Sequence, residues 1–326
     1  ELAGQRSGIE SGAFIEGTLE AVKRRLWITA GVRADVYNAA GVTLLGVDPR
    51  AEFRAKLLKQ LFIQGGIGLY QQPPSFPIQL PGVDTFALQL GLQRAIQAAY
   101  GVEALLPQTV TFKVTGFWEQ FYNINDALID FTTQVVCTSP PPESLTGFPA
   151  RITRQIDGHS YGMELLLRKQ TGRFTGWIAY TLSRTERVYD CGLRPADYDQ
   201  THVLNVVLQV RLPWNLMAGA HFLLQTGRPI TVIDPNNLEA AVRNNSRLPN
   251  YYQLDFRIDR EWLFKRWALS VFLEILNMTY SESIIGINYP TAPNPLNPNQ
   301  DITLYNMPQT TGFNWILPSI GLRGRF

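Results

Sequence analysis

No stretch of this chain approaches the roughly 18 consecutive apolar residues that a membrane-spanning helix requires. Arg, Gln, Asn, Asp or Gly interrupts every apolar segment. Charge is also scarce. Charged residues make up 17% of the 326, where about 25% is typical of a soluble domain, so little of the surface is built for water. The net charge is +2, and the basic residues are scattered along the sequence, which leaves no electrostatic footprint for nucleic acid.

Histidine and cysteine are rarer still, with three and two residues. His159, His202 and His221 lie in no recognisable nucleophile motif, and a hydrolase needs a nucleophile, a base and an orienting group together. His202 follows Asp199 closely, but it reads as a polar residue at a strand end. An enzyme is not expected. Neither Cys137 nor Cys191 has another cysteine or a histidine at ligand spacing, so no transition-metal site is expected. Both fall in segments read below as loops on the same side, where a disulfide and two separate thiols stay open as alternatives. Asp190, Asp197 and Asp199 lack the ordered pattern of a calcium loop and read as solvated loop acids. No metal or cofactor is expected.

What the sequence does have is alternation. In residues 26 to 36, Leu26, Ile28, Ala30, Val32, Ala34 and Val36 share one strand face, with Thr29, Gly31, Arg33 and Asp35 on the other. The pattern returns in residues 86 to 93 (Phe86, Leu88, Leu90, Leu92 against Gln89, Gly91, Gln93) and in residues 110 to 119, 160 to 168 and 252 to 259. Short connections fall near 23–25, 59–60, 171–173, 213–215 and 264–266. Long ones, rich in Pro, Asn, Gly and Ser, fill roughly 38–48, 72–85, 123–157, 186–199, 227–250 and 279–312. Strands of about ten residues, apolar outward and polar inward, with turns short on one side and loops long on the other, are the layout of a transmembrane barrel. Such a barrel also satisfies every backbone group in lipid.

The expected fold is therefore all-β: a transmembrane antiparallel up-and-down β-barrel of about 13–14 strands. The count here is 13, the first near 9–22 and the last near 312–326; segment 128–136 is the place where a strand is most easily miscounted. An odd number suits an excerpt whose preceding strands lie elsewhere. Aromatic residues such as Trp27, Tyr70, Trp118, Trp177, Trp214 and Trp267 near strand ends suit a membrane interface, although β-propensity alone also enriches them.

Lumen-facing polar residues are expected at Arg33, Asp35, Lys113, Glu119, Glu164, Arg168, Arg211, Asp255, Arg257, Asp259 and Glu274, with neighbours such as Asp255 and Arg257 neutralising each other. Binding residues tend to sit on loops carried by a rigid scaffold. By position the ligand-binding candidates are Tyr122, Phe131, Tyr189, Tyr198, Arg243, Arg247, Tyr289 and Tyr305.

The closing segment, Ile316-Leu317-Pro318-Ser319-Ile320-Gly321-Leu322-Arg323-Gly324-Arg325-Phe326, resembles the last strand and terminal aromatic signal of outer-membrane proteins, with Ile320, Leu322 and Phe326 as the membrane-assembly signal. A more specific resemblance runs through Gly158-His159-Ser160-Tyr161-Gly162-Met163-Glu164, which is similar to a Gly-x-Glu strand motif. It continues through Gly176-Trp177-Ile178-Ala179-Tyr180, Pro195-Ala196-Asp197-Tyr198-Asp199-Gln200-Thr201-His202, Leu223-Leu224-Gln225-Thr226-Gly227-Arg228-Pro229, Leu248-Pro249-Asn250-Tyr251-Tyr252 and Phe272-Leu273-Glu274-Ile275-Leu276-Asn277. In order and spacing these resemble successive barrel strands of TonB-dependent outer-membrane receptors.

The resemblance implies that residues 1–326 are the C-terminal portion of such a barrel, without the family's N-terminal plug domain and energy-coupling box. A naturally small, plugless barrel is the alternative. It further implies energy-coupled uptake of a scarce nutrient complex of the siderophore-iron, corrinoid or glycan class across the outer membrane of a Gram-negative bacterium. The implied partners are outer-membrane lipid, the barrel-assembly machinery and, through the plug, a TonB-type energy-coupling complex. A passive porin-like channel and a soluble β-sandwich binding protein are the competing readings.

Overall fold

The computed structural model describes residues 8–39, 41–74, 87–125, 155–189, 192–232, 243–294, 297–303 and 309–325. In chain order the strands are β1 (Gly8–Val22), β2 (Leu26–Ala39), β3 (Val42–Leu58), β4 (Leu61–Gln72), β5 (Gln93–Leu106), β6 (Val110–Asn125), β7 (Gln155–Lys169), β8 (Phe174–Tyr189), β9 (Gly192–Pro195) and β10 (His202–Leu212). They continue as β11 (Leu216–Gln225), β12 (Pro229–Ile230), β13 (Ser246–Arg247), β14 (Tyr251–Leu263), β15 (Ala268–Leu276), β16 (Ser283–Asn288), β17 (Thr291–Asn294), β18 (Asn297–Thr303), β19 (Gln309–Phe313) and β20 (Leu317–Arg325).

One antiparallel sheet carries the fold, in the order β1-β2-β3-β4-β5-β6-β7-β8-β10-β11-β14-β15-β20, with β9 added beside β8. Sequential neighbours pair throughout, the up-and-down arrangement that alternating connections imply. Thirteen strands lie on that path, and the short ones form two-stranded ribbons within the connections: β12 with β13, β16 with β19 and β17 with β18.

Two compact units are distinguished. The first comprises Glu1–Ala104, Val114–Met163 and Arg184–Ala196. Within it Leu19, Ile28, Phe53, Gly65 and Tyr100 stand opposite one another in successive strands, while Glu16, Gly31, Arg50, Gly68 and Gln97 form a row of the other face. The apolar row leaves Leu19 64% exposed and Tyr100 56% exposed. Tyr100 lies across Gly65, where a Cβ would come within 2.2 Å of the ring, so glycine makes room for the aromatic.

The second unit comprises Leu105–Lys113, Glu164–Ser183 and Asp197–Phe326. Its apolar row reads Val210, Ala218, Ile258, Leu273, Ile320, and a polar row reads Gln209, Gly219, Arg257, Glu274, Ser319. A one-residue slip in any strand would exchange these faces, so the pattern itself holds the register. Ile320 and Leu322 are 77% and 75% exposed. The apolar face is thus presented outward and not packed into a core.

Two connections differ from expectation. Residues 38–48 are no long loop: β2 and β3 pair continuously from Leu26↔Ala55 to Ala39↔Val42, and Asp48-Pro49 sits inside β3. Turn-forming residue types there yield to fourteen paired positions. Of the strand expected over 86–93, residues 87–92 are not strand either. Ala87–Leu90 is a single 3-10 turn, and Leu88 is buried with Tyr37 and Ala39, against Val42, Leu44 and Leu92. Alternation over so few residues also fits a segment folded back onto its neighbours, and here the fold-back wins. The strand that follows, β5, escapes a period-two reading because Ala95, Ala98, Ala99 and Gly101 blur its two faces. It leads into a short turn at Gln108 and Thr109, both with φ near +60°. Segment 128–136 lies outside the described residues.

Candidate functional site

The polar face of the first unit is a lattice of charges. Arg50 reaches across side-chain-free Gly31 to Glu16, with Nε donating to Oε2 at 3.0 Å. Arg54 donates to Gln64 at 2.7 Å and to Glu103 at 2.8 Å while its guanidinium lies 4.7 Å from the Phe62 ring centre. Arg33 grips Asp35 through two hydrogen bonds of 2.6 and 2.7 Å. Asp35 is buried, and a Cβ on the facing Gly12 would stand 1.9 Å from its carboxylate. Charge-assisted, two-pronged contacts of this kind fix side-chain geometry as well as charge.

The polar face of the second unit is built around Asp255. It accepts from His221 at 3.2 Å, from Gln253 at 2.6 Å and from the backbone N–H of Asn277 at 2.8 Å. His221 also meets Asn205 at 3.3 Å, and Tyr251 donates to Gln253. Asn277 takes φ +52° at the end of β15, a conformation Asn tolerates, and its amide donates to Ser281 and Trp315 carbonyls. The expected neutralisation of Asp255 by Arg257 does not occur: Arg257 pairs with Glu274 at 3.7 Å and stacks 3.9 Å over Phe272. Asp255 is already held by His221, Gln253 and Asn277, and the register sets Arg257 directly opposite Glu274.

Of the other polar positions, Glu119 and Lys113 are half-buried, whereas Glu164, Arg168 and Arg211 are exposed and Asp259 is half-buried opposite Met217 and Phe272. His221, Asn205 and Gln253 were not singled out by the sequence. The signal that finds them is the cross-strand register, which sets His221 directly opposite Asp255.

At the loop end of the second unit, the segments after β9 and around β13 are clamped together. Arg243 donates to Asp197 at 2.7 Å, Asn244 joins the same carboxylate at 2.8 Å, and Arg247 pairs with Asp199 and donates to its carbonyl at 2.9 Å. Asp199 is only 1% exposed. The sequence predicts solvated acids; instead Asp199 is buried and Asp197, though half-exposed, is held by two side chains, so both anchor a loop brace. His202, close behind Asp199 in the sequence, meets the Tyr180 hydroxyl through its Nδ1 at 2.8 Å.

The ligand-binding candidates divide accordingly. Tyr189 and Arg243 are buried, and Arg247 is spent on Asp199. Tyr198 stands 69% exposed between the two clamped aspartates, Tyr122 is exposed near the end of β6, and Tyr289 is half-buried after β16. Phe131, Tyr305, Cys137, Cys191, Asp190 and Phe326 lie outside the described residues. Among the described residues no cluster of His, Cys, Asp and Glu is arranged to hold a metal ion.

A long antiparallel wall of two-faced strands, polar on one side and openly apolar on the other, defines the class as a β-barrel wall. The family described as TonB dependent receptor-like, beta-barrel, matches residues 3–278, and the chain belongs to it. Comparison with curated protein sequences finds no significant match. Among solved structures it resembles the ferripyoverdine receptor of the outer membrane of Pseudomonas aeruginosa at TM-score 0.66 and 11% identity, over 98% of this chain and 39% of that one. It also resembles the FrpB iron transporter from Neisseria meningitidis, at TM-score 0.64 and 14% identity over 99% and 46%. A third is the ferric yersiniabactin uptake receptor FyuA from Yersinia pestis, at TM-score 0.59 and 12% identity over 97% and 45%. At such identities the likeness is one of fold, and the chain spans less than half the length of these receptors.

Proposed function

We propose that this chain forms the C-terminal part of the wall of an outer-membrane receptor that takes up a scarce nutrient complex, with energy supplied through a plug domain carried outside these 326 residues. The observation that carries the proposal is the outward apolar face: Leu19, Leu273, Ile320 and Leu322 are each more than two-fifths exposed, in a family of β-barrel receptors. A sandwich would bury that face, and only eight apolar residues are buried among those described. Lipid is the solvent that suits it. Membership of a receptor family that is not an enzyme family, and solved neighbours that are iron receptors and transporters, support uptake over catalysis.

On this reading the siderophore-iron class stands ahead of corrinoids and glycans, because the neighbours named for ferripyoverdine and ferric yersiniabactin share the fold. Of the candidate aromatics, Tyr122 and Tyr198 are exposed to meet a ligand. Arg33, Asp35, Asp255, Arg257 and Glu274 line the interior, and Ile320 and Leu322 belong to the signal read by the barrel-assembly machinery. A TonB-type complex would engage the plug.

The test labels single cysteines at Leu254, Leu273 and Ile320 and at Glu16, Asp255 and Glu274 in the full-length receptor. Lipid-phase quenchers reach the first set and water-soluble thiol reagents the second. Water-exposed Leu273 together with lipid-exposed Glu274 would end the proposal. The 326 residues alone are expected to show no energy-dependent uptake.

A further inference from the structure

Basic residues that are scattered in the sequence meet on one rim of the second unit. Its turns adjoin in order: Lys169 Nζ donates to the Gln108 carbonyl at 3.0 Å, the Arg211 N–H donates to the Arg173 carbonyl at 2.9 Å while Arg173 Nε donates to the Arg211 carbonyl at 3.3 Å, Leu216 pairs with Arg260, and Ala268 pairs with Arg325. Residues 168–173, 211–216, 261–267 and 323–325 on this rim carry eight Lys and Arg against one acid, Glu261. The whole chain nets only +2, so the remainder is acidic on balance. Among the described residues, Glu261 meets Arg325 at 3.5 Å, with both side chains largely in solvent.

Large apolar rings interleave with these cations. Trp214 is 77% exposed, and Phe264 stacks on Trp267 with ring centres 4.2 Å apart. Trp214 also holds φ +60° and ψ +30°, a left-handed conformation that costs a bulky residue about 1 kcal/mol or more. Glycine or asparagine would form this turn without that cost. A strained residue points to a use for its side chain. A soluble polyanion would be met by the charges alone. Rings at the level of the charges suit a surface with phosphate outside and acyl chain beneath.

We propose that this rim binds the head groups of anionic phospholipids in the leaflet that the turns face, with Arg173, Arg211, Lys265 and Arg266 taking the phosphates and Trp214 seated at the head-group boundary. The proposal rests on the membrane reading above. It adds a lipid preference at one end of the wall.

The full-length receptor is reconstituted in vesicles of phosphatidylcholine doped with brominated phosphatidylglycerol or with brominated phosphatidylcholine, and quenching of tryptophan fluorescence is compared. Phosphatidylglycerol is expected to bind several-fold more strongly, about fivefold for a single cation near the surface, with the preference shrinking as salt is raised. The R173Q/R211Q/K265Q/R266Q variant loses the preference, the R173K/R211K variant keeps it, and W214F lowers the quenching amplitude in both lipids. Equal quenching by the two lipids, or a preference unchanged in the four-Gln variant, overturns the proposal and leaves the rim to a soluble polyanion or an acidic protein. Failure of the receptor to enter either vesicle overturns the membrane reading instead.

Discussion

The loop end and the turn end of the second unit handle charge in opposite ways. At the loop end Arg243 and Arg247 are drawn inward onto Asp197 and Asp199. At the turn end Arg173, Arg211, Lys265 and Arg266 stay exposed with hardly an acid in reach. Cations with internal partners, Arg243 buried and Arg247 half-buried, can hold a loop but are spent as ligand contacts, whereas exposed cations are available to something outside the chain. The same residue type thus serves as fastener at one end and as docking group at the other, and burial decides which.

The sharpest way to break this contrast is to remove the buried carboxylate. Asp199→Ala leaves Arg247 without its carboxylate, with only the Asp199 and Gly227 carbonyls to meet it, and a stability loss of about 3 kcal/mol is expected, read by denaturant unfolding and by faster proteolysis around residues 226–250. A loss below about 0.5 kcal/mol would place the brace among ordinary surface pairs. Next comes the wall between the ends. A Cβ on Gly321 would lie 2.2 Å from the Phe272 ring, so Gly321→Val should cost about 2 kcal/mol. The F272A background should remove much of that cost; equal losses in both backgrounds would show that the ring is not what the valine meets.

At the turn end the expected sign reverses. Trp214→Gly relieves the left-handed strain and should raise unfolding stability in detergent by about 1 kcal/mol. In vesicles the gain shrinks as the interfacial ring is lost, and an identical gain in both media would leave the ring without a membrane role. The smallest effect is assigned to the exposed Glu16–Arg50 pair of the first unit, where Glu16→Gln should cost roughly 0.5 kcal/mol, less at high salt.

The alternation of residues 26–36, 160–168 and 252–259 was enough to place β2, β7 and β14 and to say which face of each is apolar, because period two is imposed by the strand backbone itself. The short connections were legible from their turn formers, and the Gly-x-Glu and closing-strand resemblances led to the right family. Less of the site was legible. Arg243 and Arg247 looked like loop residues open to a ligand, and Asp197 and Asp199 like solvated acids, because nothing in a linear reading brings together residues more than forty positions apart. Leu88 read as a lipid-facing strand residue because its contacts with Tyr37 and Ala39 are made by a fold-back and not by pairing.

From the chain alone came the two-faced strands, their antiparallel succession and the low charge that suits a wall between water and lipid, since these follow from neighbours within a few residues. Only the tertiary structure set His221 against Asp255, locked two loops with ion pairs that each have one buried partner, and gathered scattered cations onto one rim. Strand adjacency chooses those partners, and adjacency is a property of the folded sheet that no local pattern encodes.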